Sequence, residues 1–154
     1  PGAELFRMTL PAGGTLFSTI VSELSKRGID HGNLSFVEGE LVIAKCQTGH
    51  PDPKKEIAAV YGDPVEFMGG ADILAGHATF GRKSDGSPII HCHGVLIDRE
   101  GRLFGGHLPT DLCVIGPRGV SAYLLVPQDS GFSVRPDPET HVSLLQPANT
   151  ERTA

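Results

Sequence analysis

The sequence predicts an α+β fold, a mixed and largely antiparallel β-sheet with one main α-helix packed on it. Three observations lead there. The 154 residues include 20 glycines and 12 prolines, which cut the chain into short segments separated by turns. Only the stretch after Thr15 carries apolar residues at clear helical spacing. Residues 89–97 and 102–108 read as two strands joined by a short turn. The length fits one domain, and 39% hydrophobic with 20% charged residues excludes a disordered chain.

Taken in order, residues 4–10 (ELFRMTL) predict a first strand, closed by the Pro11-Ala12-Gly13-Gly14 turn. The helix is expected over 15–27. Thr15 is its N-cap, Leu16, Phe17, Ile20, Val21 and Leu24 form its apolar stripe, and Arg27-Gly28 closes it. Residues 33–37 and 41–46 predict two strands joined by a tight turn at Glu38-Gly39-Glu40. Residues 48–55 read as a loop, and 60–65 is broken by Gly62 and Pro64. Strands follow at 73–80, 89–97, 102–108, 112–115 and 120–126. The main domain is expected over 1–127. The extension 128–154, with apolar Val142, Leu144 and Leu145, should hold a short extra element and then a disordered tail.

The net charge of −5, from 13 basic and 18 acidic residues, argues against a protein that holds DNA by neutralising phosphates. Cys46, Cys92 and Cys113 are odd in number and widely spaced, so free buried thiols in a reducing cytoplasm are expected. No apolar run approaches the roughly 20 residues that cross a bilayer, and no signal peptide is visible after Pro1, so no membrane association is expected.

Three of the seven histidines fall in Ile90-His91-Cys92-His93-Gly94 and Gly105-Gly106-His107-Leu108. A strand has a side-chain period of two, so His91 and His93 share a face and Cys92 takes the other. Asp98-Arg99-Glu100-Gly101 has the chemistry of a type I turn followed by a glycine bulge. Asp98 then pairs with Arg102, and His93 falls opposite His107, whereas a two- or four-residue loop would put His107 on the other face. Opposed Cβ atoms about 4.5–5.5 Å apart let two imidazoles reach one ion. Three imidazoles on one face suit Zn²⁺ or another divalent transition metal, with water, a small ligand, Asp111 or His77 in a fourth position. Gly105 and Gly106 leave room beside the site for a ligand, a strand or a partner subunit. The plainer alternative is three cross-strand neighbours that bond backbone or water.

In these residues the chain resembles the plants-and-prokaryotes-conserved (PPC) domain family. The motifs are Ile90-His91-Cys92-His93 and the run from Asp98 to Leu108 with its Gly105-Gly106-His107-Leu108 end. Gly69-Gly70-Ala71-Asp72-Ile73-Leu74 is similar to the family's Gly-Arg-Phe-Glu-Ile-Leu segment, without the Arg and Phe. The run from Leu10-Pro11 to Gly28-Ile29 is similar to the family's opening strand, turn and helix. The likeness spans residues 5–126. It implies a homotrimer, metal ligation at His91, His93 and His107, and a fold of the predicted kind. Prokaryotic members are described as DNA-binding; in plant members an AT-hook binds DNA, while the domain serves protein association and transcriptional regulation. This sequence has no Arg-Gly-Arg-Pro hook, places His77 where the family has a small residue, and adds the 128–154 extension.

The expected function is a homotrimeric, metal-binding regulatory module. The alternative is a metal-dependent enzyme acting on a small polar metabolite, with Asp111 as base or supporting carboxylate. Glu66 and Asp72 read as solvated acids rather than catalytic ones. Direct DNA contact would fall to Arg82 and Lys83, with Arg99, Arg102 and Arg118 as the other basic candidates. Trimerisation has one physical argument of its own. The hairpin carries Val95, Ile97 and Leu103 on one face and Leu96, Phe104 and Leu108 on the other, so both faces need cover.

Overall fold

The structure, a computed structural model, describes residues 2–149. Eleven strands and one helix are formed among them: β1 (Ala3–Leu10), α1 (Leu16–Ser25), β2 (Gly32–Cys46), β3 (Gly49–Pro51), β4 (Ala59–Tyr61), β5 (Val65–Phe67), β6 (Ala71–Arg82), β7 (Pro88–Asp98), β8 (Leu103–His107), β9 (Val114–Pro127), β10 (Ser130–Pro136) and β11 (Ser143–Asn149). The main sheet runs β1-β9-β2-β6, with β7 and β8 continuing from β6 and β5 paired to β2. Its pairs are antiparallel except the single β10–β6 bridge, Ser133 to Arg82, which is parallel. The mixed, largely antiparallel sheet is therefore as expected.

The helix forms where its signals lie. Thr15 Oγ1 accepts from the Ser18 amide at 3.0 Å, one of the orphan donors of the first turn. At the other end, Gly28 takes a left-handed φ of 66°. The Ile29 amide reaches back to Leu24 O and the Gly28 amide to Ser25 O, a Schellman closure. Leu16, Ile20 and Leu24 are buried in one core with Met8, Leu10, Leu34, Phe36, Phe80, Leu96 and Leu124, so α1 covers one face of the sheet.

Three expectations need correction. Glu38-Gly39-Glu40 is not a tight turn: β2 runs through it as one strand, with register shifts against β9 between Phe36 and Ile43. A Cβ on Gly39 would stand 2.7 Å from Val120 Cγ2, so the glycine admits a close neighbour instead of reversing the chain. Residues 48–55 are not wholly loop, and the stretch 60–65, broken at Gly62 and Pro64, supplies part of a strand partner. β3 and β4 pair there as a separate two-stranded ribbon, Gly49 with Tyr61 and Pro51 with Ala59. Residues 114–115 and 120–126 belong to the single strand β9, which starts at Val114 and passes through Pro117, while Leu112 and Cys113 lie before it. Within this chain one face of the hairpin is covered, as the single helix allows: Leu96 and Leu108 are fully buried, while Val95 and Leu103 are 43% and 64% exposed. The extension contributes the β10–β11 hairpin, and the expected tail at 150–154 lies outside the described residues.

Thr15→Ala removes the cap bond without touching the core. Urea denaturation should show a loss of about 1 kcal/mol with an unchanged m-value.

Candidate metal centre

The site begins with a turn. The Asp98 amide donates to Arg102 O and the Gly101 amide to Asp98 O, with Gly101 at a left-handed φ of 81°. Asp98 Oδ1 accepts from the amides of Glu100 and Arg102, both at 2.9 Å, and its Oδ2 takes Arg102 Nε at 2.8 Å. This fixes the register at Ile97 with Leu103, and hence His93 with His107. The neighbouring strand adds His77 beside His93 and Thr79 beside His91.

Three imidazoles converge as the spacing predicts. The candidate ligand nitrogens of His91, His93 and His107 all lie within 4.8 Å of one another. His91 Nε2 and His93 Nε2 are 3.1 Å apart. His91 and His93 are exposed, and His107 is half-buried. Its Nδ1 is buried and has no hydrogen-bond partner among the described residues. Burial and the neighbouring His91 and His93 push the His107 pKa down to about 4, with Asp111 pulling weakly the other way. Burial first, and then His93, lower that of His91. His107 is therefore neutral at physiological pH, the form that ligates a cation. A close nitrogen pair and a buried orphan nitrogen fit a shared divalent transition ion.

The other expected residues are placed differently. His77 stands next to His93, but its Nε2 pairs with Asn33 Oδ1 at 3.1 Å and it is outside the close nitrogen group. It lines a shallow depression of about 410 Å³ with Ala75, His93, Val95, Gly105 and Gly106. Asp111 does not join the histidines either; with Lys83, Phe17, Ile89 and Ile90 it lines a cleft of about 360 Å³. Gly105 opens the depression, since a Cβ there would meet nothing closer than 3.7 Å. Gly106 has another reason: its Cβ would stand 2.5 Å from Gln47 O, where Gln47 and His107 exchange two backbone hydrogen bonds. Gly106 is in register with Gly94, and Gly94 with Gly76. Cβ atoms on those two would press on Leu108 and Phe36 at 2.9 and 2.8 Å.

The basic candidates do not gather into a patch. Arg99 binds Glu40 at 3.2 Å and Asp72 at 3.0 Å, and Arg118 binds the same two carboxylates. Arg102 is held by Asp98 and Glu100. Arg82 donates to Gly86 O, and Lys83 lines the Asp111 cleft. Glu66 pairs with Lys45 at 3.1 Å. The three cysteines are free and buried as expected. Cys92 points away from the histidines, and burial pushes its thiol up to about 12.

Sequence reasoning missed Tyr61. Its ring stacks on His107 with centroids 4.5 Å apart and planes 24° apart. No local pattern marks it, because 46 residues separate the pair in the chain and Gly62 and Pro64 break the stretch that carries it.

A family model for the Plants and Prokaryotes Conserved (PCC) domain matches residues 2–120. The chain belongs to that family. Among solved structures, a plant- and prokaryote-conserved (PPC) protein of Pyrococcus horikoshii is similar, at 23% identity and a TM-score of 0.68. The match covers 95% of this chain and 92% of that one. A metal-containing protein of Archaeoglobus fulgidus gives 23% identity and a TM-score of 0.68 over 95% and 94% of the two chains. A candidate DNA-binding protein of Ralstonia eutropha gives 19% and 0.67 over 91% and 89%. At these identities the likeness is one of fold. A comparison with curated proteins finds no match. The PCC fold thus carries the histidine hairpin on its β7–β8 edge.

The folded, metal-free protein keeps His107 neutral down to about pH 4, whereas the unfolded chain takes up that proton near 6.5. Between those values the unfolded state binds more protons, so stability present above 6.5 falls as the pH drops toward 4. Denaturation midpoints measured across this range should decline, and the slope should flatten in His107→Gln.

Proposed function

We propose that this PCC-domain chain is a homotrimeric metal-binding module with a regulatory, transcription-associated role in the cytoplasm. The observation that carries the metal reading is the convergence of three imidazoles, with the buried nitrogen of His107 unpartnered. His91, His93 and His107 would hold Zn²⁺ or a neighbouring divalent ion, which would supply an electron-pair acceptor for a small ligand. The metal-containing Archaeoglobus relative supports this reading.

The trimer reading rests on the sheet face that α1 leaves bare. Strand register aligns Arg7, Tyr123, Ser35, His77, His93 and His107 in one row across six strands. Leu5, Leu125, Asn33, Thr79 and His91 form the next row, with Leu5 68% exposed. Val37 on β2 and Val95 on β7 are also exposed. Exposed apolar side chains set among the histidines on a bare sheet face suit a partner subunit. Direct DNA binding by Arg82 and Lys83 has little to support it, since the other candidate arginines are taken up by carboxylates and the charge is −5. DNA association through a partner protein agrees better with that charge. An enzymatic role on a small polar metabolite draws on the open depression beside His93, but no carboxylate joins the histidines among the described residues. The binding reading is therefore preferred.

No helix among the described residues is long and apolar enough to cross a membrane. The cytoplasmic assignment rests instead on the three buried free thiols.

Elemental mass spectrometry of protein purified without an affinity column should find about one transition-metal ion per chain. The His91→Ala/His93→Ala variant should have none. Metal-free wild-type protein that also refuses added Zn²⁺ would remove the metal reading. Light scattering at micromolar concentration should give three times the 16.3 kDa chain mass, and a monodisperse monomer would remove the trimer.

A further inference from the structure

The β3–β4 ribbon has no place in the main sheet, yet it is tied down at both ends. Gln47 leads into it, bonds the His107 backbone in both directions, and sends its side-chain amide to Gly62 O at 2.8 Å. Gly62 in turn donates to Thr48 O. At its far side the Ala58 amide donates to Thr140 O, in the connection between β10 and β11. The residue pressed on the histidine site by these ties is Tyr61, which precedes Gly62 and pairs with Gly49. Its ring lies nearly parallel to the His107 imidazole at 4.5 Å, although the residue is 48% exposed and adds nothing to the core.

We propose that Tyr61 is a positioning residue for the histidine centre. It fixes the imidazole plane of His107 by stacking and walls off one side of the metal, so that an outside ligand arrives from the depression beside His93. The role belongs to the aromatic face and not to the hydroxyl. Metal-ligating histidines are held in orientation by the groups around them, and here a stacked ring supplies part of that constraint. The proposal rests on the metal reading above.

The full-length chain is the test object, with Co²⁺ alone as probe. Wild type and Tyr61→Phe should bind it with equal affinity, measured by chelator competition, and with the same visible d–d bands. Tyr61→Ala should keep the wild-type circular dichroism and unfold cooperatively, but bind on the order of 10-fold more weakly, with shifted bands. Wild-type affinity and bands in Tyr61→Ala would overturn the proposal. The two readings fail separately. If wild type takes up no Co²⁺, the metal reading falls and the ring signals of His107 in the NMR spectrum of the metal-free protein decide the rest. Signals that move in Tyr61→Ala but not in Tyr61→Phe uphold the positioning role, and signals unchanged in both overturn it.

Discussion

One constraint governs this molecule: the three-residue turn that sets the register of β7 against β8. Asp98 spends both carboxylate oxygens on it, and Gly101 supplies the left-handed backbone. Because side chains alternate with a period of two, a slip of one residue would send His107 into the core and leave His93 without its partner. The chemistry of the site is thus decided by a turn that touches none of the histidines. The buried residues of the same strands, Cys92, Leu96 and Leu108, enforce the same register from the opposite face.

The hairpin and the helix were legible because their signals are local. A capping threonine, a closing glycine and a turn sequence act within a few residues, and the face shared by His91, His93 and His107 follows from counting. The misreadings have a common cause in long-range packing. Glu38-Gly39-Glu40 has the composition of a turn, but Gly39 is there for Val120, which comes from β9. The β3–β4 ribbon depends on Gln47 and on Thr140, neither of which shows a pattern. His77 and Asp111 were plausible ligands by residue type, and the fold gave one to Asn33 and the other to a separate cleft.

The charges are organised with equal economy. Glu40 and Asp72 each meet both Arg99 and Arg118, joining the turn after β7 to β2, β6 and β9. Partly exposed ion pairs of this kind contribute little individually, but together they occupy the side chains that a polyanion would need. What the sheet offers outward is instead apolar and histidine-bearing, a surface suited to another protein surface.

The aligned glycines Gly76, Gly94 and Gly106 lie on the inner side of the sheet, back to back with the histidine row. Phe36, Leu108 and the Gln47 backbone fill the space that their side chains would take. The two faces therefore answer to different evolutionary pressures. An exposed histidine can be exchanged with little disturbance of packing, whereas a glycine behind it cannot gain even a methyl group without moving a strand or a core side chain. The outer row is thus free to vary in its chemistry while the inner row is bound to the packing of the strands.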